Sequence, residues 1–222
     1  MSRIQILLPR YFYSFMLVLL FVTCNSKEES SEEAFDINSD LTIQEKKMLV
    51  EGIQKLSDWV QHWKEVDASF NPEAFEFERR ELFEELEWPE ENFIVPDNPF
   101  YPYLLPNPDG DGFVDIYSYK VFVPTEGKPG FQPDSEVIYF KSNGMRERLL
   151  FIGPSGGFED AVWLDAEYLL VSGFFEEEEG VTPKIWLIDT AKKSYSIFRH
   201  PFNTTFYAKD GYLKKKLSNL EF

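Results

Sequence analysis

Two stretches of this chain combine residue types and spacings that could do chemistry. The first is Asn107-Pro-Asp109-Gly-Asp111-Gly112-Phe-Val-Asp115. Hard cations such as Ca²⁺ need several oxygen ligands converging on one loop. An EF-hand-type loop supplies them from alternate early positions and from the ninth, with Gly at the sixth for the sharp turn. Asn107, Asp109, Asp111 and Asp115 fall at those ligand positions, and Gly112 falls at the turn. Ser118, however, stands where the bidentate Glu belongs, and the segment around Tyr117 and Tyr119 has the texture of a strand. Pro, Asp and Gly are equally what a hairpin turn requires. A structural turn and a calcium loop therefore both stand, and Asp115, inside an apolar run, is the residue least explained by a turn.

The second stretch is Gly153-Pro-Ser155-Gly-Gly157, which has the G-x-S-x-G pattern of a nucleophile elbow. Asp189 and His200 follow in the order Ser, Asp, His. An elbow needs a strand before it and a long helix after it, within alternating strands and helices. Here the following segment reads as another strand, and Gly-Pro-Ser-Gly-Gly is also ordinary loop chemistry. With two His in the chain, general bases are few, and a zinc site lacks ligands. Paired carboxylates could serve a glycosidase, but 39 acidic residues single out no pair. No catalytic set is assigned. The leading expectation is a non-catalytic module that binds a protein or glycan partner, with Phe100-Tyr-Pro-Tyr103 and Phe174-Phe175 as candidate contact aromatics. The alternatives are a surface hydrolase acting on polysaccharide or ester, and a calcium-stabilised binding module.

The elements that must position these residues form two zones. Thr42-Ile-Gln-Glu45 fits a capping box. Leu49, Ile53, Leu56, Val60 and Trp63 then recur at helical spacing, predicting a helix to about Val66. His62 lies beside that stripe as a surface or boundary residue. Asn71-Pro72 resembles a helix start, so Phe75, Leu82, Phe83 and Leu86 are expected on the buried face of a second helix ending before Pro89. From Tyr101 the chain changes to short apolar runs separated by turn clusters, the signal of an antiparallel meander. Val137-Ile-Tyr-Phe140 and Ile185-Trp-Leu-Ile188 open similar units about 48 residues apart, a period near that of β-propeller blades. The stretch 100–200 weakly resembles such blade repeats, and Asn107-Pro-Asp-Gly resembles their turns. The expected fold is α+β: N-terminal helices (41–88) packed on a β-meander (100–200) of about eight strands in two blade-like units, then a short C-terminal helix (206–222). In that helix Leu213, Leu217 and Leu220 share a face, with Lys214, Lys215 and Lys216 exposed.

The composition suits a packed domain. Hydrophobic residues make up 43% and aromatic residues 17% of the 222 residues, far from a disordered composition. Net charge is −17, and a field of that sign repels nucleic acid and anionic lipid headgroups.

The N-terminus carries a separate message. Arg3 and Arg10 precede the apolar run Phe15–Val22, and Thr23-Cys24-Asn25-Ser26 follows at once. This is the layout of a secretory signal, and the run is shorter than the ~20 residues a spanning helix needs; an uncleaved membrane anchor is the alternative. Cys24 is the chain's single cysteine, so no internal disulfide forms. Its place resembles the lipid-acceptor cysteine of bacterial lipoproteins, although Phe21 and Thr23 depart from the usual lipobox residues. The resemblance implies a cleaved signal peptide (1–23), lipid on Cys24 and a flexible acidic tether (24–40) before one folded domain (41–222). It also implies membrane attachment in the cell envelope. Lys27-Glu-Glu29 resembles the acidic signals that send such proteins to the outer face of the outer membrane, and reads equally as a plain solvated linker. No cofactor other than calcium is expected.

Overall fold

The computed structural model describes residues 40–84 and 86–222. Arg3, Arg10, the apolar run, Cys24 and the acidic tether up to residue 39 lie outside the described residues. Those described belong to one compact unit, Phe35–Phe222. Among them, no helix is long and apolar enough to cross a membrane.

The chain enters through α1 (Ile43–Lys55) and α2 (Ser57–Val66). The capping box forms: the Thr42 hydroxyl accepts from Glu45 N at 3.1 Å, and Glu45 Oε2 accepts from Thr42 N at 2.8 Å. The other Glu45 oxygen takes the Arg80 guanidinium. One side chain thus closes the helix end and ties it to the strand carrying Arg80. The expected single helix is two, broken at Leu56, whose ψ of 40° leaves the helical range.

The second expected helix, over 72–88, is not formed. Asn71 and Pro72 open a turn in which Asn71 Oδ1 accepts from Glu73 N at 3.1 Å and Asn71 O from Ala74 N at 3.0 Å. Two strands follow, β1 (Glu76–Leu82) and β2 (Glu87–Pro89). Leu82 and Leu86, expected to be buried, are exposed, while Phe83 is buried. Strand pairing overrides the helix-start signal, because each strand completes the edge of a sheet whose backbone groups would otherwise lack partners.

Ten further strands follow: β3 (Leu105–Pro106), β4 (Phe113–Asp115), β5 (Val121–Phe122), β6 (Gly130–Phe131), β7 (Ser135–Phe140), β8 (Met145–Ile152), β9 (Gly156–Trp163), β10 (Tyr168–Glu177), β11 (Gly180–Asp189) and β12 (Ser194–Arg199). They build three antiparallel sheets rather than one meander. The first has the order β1-β12-β11-β10-β9, the second β2-β8-β7-β4-β3, and β5 pairs with β6 alone. In each large sheet four strands stand in chain order, and the fifth comes from the segment before them.

The first sheet is covered on both faces. Towards the helices it turns Leu170, on which Gly52 of α1 rests: a Cβ at Gly52 would fall 2.4 Å from Leu170 Cδ2. Towards the second sheet it turns Trp163, whose ring lies 5.7 Å from Tyr139 and whose Nε1 donates to Leu105 O at 3.1 Å. Such two-sided burial explains the near-continuous apolar runs of β10 and β11. The expected C-terminal helix is shorter than 206–222, comprising α3 (Gly211–Lys216) and a 3-10 turn (Ser218–Leu220).

Candidate functional site

The candidate calcium residues are placed by the turn between β3 and β4. Asn107 is buried, and its side chain is used in both directions: Oδ1 accepts from Asp109 N at 2.9 Å and Nδ2 donates to Ala166 O at 2.9 Å. Asp111 accepts from the Ser142 hydroxyl. Asp115 is buried, and its carboxylate receives Tyr117 N at 3.0 Å, Ser118 N at 3.2 Å and the Ser118 hydroxyl. Burial pushes the Asp115 pKa up, and the hydrogen bonds from Ser118 and Tyr117 pull against it. Among the described residues, no three His, Cys, Asp or Glu side chains are grouped to hold a metal ion.

Asn107, Asp109 and Asp111 do line a polar cleft of about 390 Å³. Lys141 and Asn143 enter it from the β7–β8 turn, and Thr190 and Lys193 from the β11–β12 turn. Glu147 of β8 is buried and bracketed by Lys141 Nζ at 2.7 Å and Lys193 Nζ at 3.5 Å. For Lys141, burial would lower the pKa, but the bonds to Glu147 and Glu87 outweigh it and raise the pKa. Tyr139, pushed up to about 12 by burial and by Asp111, donates to Asp111 O at 2.6 Å. The cleft therefore presents ammonium, amide, hydroxyl and carboxylate groups from several hairpin turns.

The residues of the Ser, Asp, His pattern are not assembled. Ser155 is exposed in the turn between β8 and β9. Asp189 pairs with Ser194 at one end of the β11–β12 hairpin, and Arg199, next to His200, pairs with Lys184 at the other. At a rise near 3.3 Å per residue, that separates Asp189 from His200 by roughly 20 Å. Both His200 nitrogens are used, Nδ1 accepting from Phe202 N at 3.0 Å and Nε2 meeting Asn71 O at 2.7 Å. Burial lowers the His200 pKa, and the ring packs among Phe70, Phe75 and Phe202. Asp189 accepts from Lys192 N at 2.9 Å. These are structural roles.

Of the candidate aromatics, Tyr101 is exposed, whereas Phe100 and Phe174 are core residues. Phe174 packs against Tyr207.

A cluster that sequence reasoning missed lies on β9. Pairing with β10 shifts register there: Asp160 faces Ser172 and Phe158 faces Gly173, leaving Glu159 as the extra residue of a β-bulge. Neighbours in a regular strand point to opposite faces, and a bulge re-aims one of them. Glu159 and Asp160 consequently both turn towards α2 and the C-terminal segment. Glu159 is fully buried and accepts from Trp59 Nε1 at 2.8 Å and from the Tyr207 hydroxyl. Asp160 accepts from the Tyr212 hydroxyl and from Lys216 Nζ at 2.8 and 2.9 Å. Lys216, expected to be solvated, is thus a counter-ion to an interior acid. Tyr117 donates to Glu159 O at 3.2 Å. Burial pushes Glu159 up to about 8, against the bonds from Tyr207 and Trp59 and with help from the Asp160 charge. The sequence signal was two adjacent acids inside an otherwise apolar strand, Gly156–Trp163, where strict alternation would bury one of them.

No protein family, curated protein or solved structure matches the chain.

Proposed function

We propose that this protein is a bacterial envelope lipoprotein, held by lipid on Cys24, whose folded part is a non-catalytic binding module. The observation that carries the reading is Cys24 itself, the single thiol, one residue beyond an apolar run too short to span a bilayer. Two acyl chains would anchor it stably, each buried CH₂ contributing about 0.8 kcal/mol. The acidic segment after it favours the outer face of the outer membrane. In this reading each large sheet is a blade-like unit, and the ligand is a protein or glycan.

The cleft between Asp109, Asp111, Lys141 and Lys193 supports the binding half of the reading. Its mixture of ammonium, amide and carboxylate groups suits a hydroxyl-rich ligand, which offers both donors and acceptors. The separation of Ser155, Asp189 and His200 favours binding over hydrolysis.

The direct test is fractionation of Cys24→Ser. The variant is expected in the soluble fraction, whereas wild type stays with membranes through alkaline extraction. Retention of the variant would show that lipid on Cys24 is not the anchor. For the cleft, crosslinking on intact cells should capture a partner with wild type and lose it with Asp109→Ala/Lys193→Ala. Unchanged capture would remove the cleft from the reading.

A further inference from the structure

The acids at the β9 bulge form a set that is unbalanced in charge. Glu159 and Asp160 stand side by side in the interior, and among the described residues a single ammonium, Lys216, reaches them and binds Asp160 alone. Among the described residues Glu159 meets only uncharged donors, Trp59 and Tyr207. A carboxylate sealed from water with no cation beside it is costly, and the usual outcome is that the group keeps its proton. Three of the groups on the two acids (Tyr207, Tyr212 and Lys216) belong to one C-terminal segment.

We propose that the segment from Tyr207 to Lys216 is a clamp latched by a proton on Glu159: the neutral acid holds it docked, and loss of that proton to solvent releases it. Tyr207 is the keystone of the docked state, its ring stacked on Trp63 at 4.1 Å and 5°. Release exposes Trp63 and hydrates both acids.

The groups that face Glu159 from every packed element assign the titration to it. From the C-terminal segment come Tyr207 and Tyr212, and from the chain after β4 comes Tyr117. All three have pKa values raised by burial and by the acids, so they remain donors throughout. From α2 comes His62, wedged between Tyr207 and Tyr212. Burial and then Lys215 lower its pKa, against Glu65, so it brings no positive charge near neutrality. Asp58 adds negative charge towards Tyr212, and Asp115 does so towards Tyr117.

The docked state binds a proton that the released state gives up, so release grows as pH rises and levels off once the docked acid itself ionises. Below pH 6.5 His62 acts in the opposite sense, because its docked pKa is the depressed one. The window governed by Glu159 alone therefore runs from about 6.5 to 8.

Hydrogen exchange of the full chain, corrected for intrinsic rates, tests this. Amide protection across 207–217 should fall about tenfold per pH unit between 6.5 and 8, roughly 30-fold in all, and then level off. In Glu159→Gln, which stays neutral, it should be flat. A flat wild-type profile would overturn the proposal. So would the same slope in Glu159→Gln, or absolute protection across 207–217 as high as in β10 and β11, which would mean that the segment exchanges only by global opening. Should Glu159→Gln fail to fold, Tyr207→Phe decides. It keeps the stacked ring and removes a bond that favours the ionised acid, so levelling must move above pH 8, and an unmoved profile overturns the proposal.

Discussion

Replacing Gly52 by alanine sets two effects of similar size against each other. In the interior of α1 the change gains about 0.8–1.0 kcal/mol of helix propensity. The added Cβ would lie 2.4 Å from Leu170 Cδ2 and 3.1 Å from Leu164 Cδ2. Leu170 is fully buried, so it has no solvent to move into, and forcing a methyl into a packed core typically costs about 1–3 kcal/mol. Packing should win, and Gly52→Ala should be less stable by about 1 kcal/mol. For a domain of this size that lowers Tm by roughly 2–4 °C. Leu170→Val alone should cost about 1 kcal/mol through lost burial. Combined, the two should couple favourably, the pair losing about 1–2 kcal/mol less than their sum. Urea unfolding of the four proteins measures this directly. If Gly52→Ala were stabilised by the full propensity gain, α1 would not be seated on β10 at this distance, and the reasoning would fail.

Three more outcomes are expected. The Glu159 pKa is raised from 4.5 to about 8, so its contribution to stability is fully present below pH 4.5 and is lost as pH rises towards 8. At 1.36 kcal/mol per unit the loss amounts to up to about 5 kcal/mol. Urea unfolding across that range should show stability falling more steeply with pH in wild type than in Glu159→Gln, and parallel profiles would refute it. Gly112→Ala should cost about 3 kcal/mol or more, since φ is +97° and the new Cβ would lie 1.9 Å from Phe140 O. Gly110→Ala, at φ +79° with nothing nearby, should cost only about 1 kcal/mol, and equal melting temperatures for the two would contradict this. Millimolar Ca²⁺ should leave Tm unchanged, because the Asn107 amide and the Asp115 carboxylate are engaged by their own loop and its neighbours. A rise of several degrees, abolished in Asp109→Ala/Asp111→Ala, would favour the calcium reading instead.

Local signals in the chain were legible where local physics decides. The Thr42–Glu45 capping box and the stripe through Leu49, Ile53 and Trp63 needed only neighbours in sequence. The hairpins β7–β8, β9–β10 and β11–β12 followed from short apolar runs and turn residues for the same reason. The segment from Phe75 to Leu86 misled because its fate depends on β12, more than a hundred residues later. The site was the least legible part. Glu159 and Asp160 look like routine strand acids until a one-residue register shift turns both inward. Lys216 looks solvated until α3 folds back over β9. Each of these depends on which strands and segments meet, and spacing within a segment does not encode that.

The two N-terminal edge strands have a consequence for how the chain acquires its fold. Glu76 of β1 pairs with Arg199 of β12, and Glu87 of β2 with Glu147 of β8. A chain emerging from its N-terminus presents β1 long before any partner exists. The first sheet can be completed only when residue 199 has arrived. Pairings of such sequence separation must overcome loop-closure entropy before they are rewarded, which makes folding slow and leaves a transient open edge. The charges of Glu76, Glu78, Arg79 and Glu81 along the waiting strand disfavour pairing with the wrong chain in the meantime.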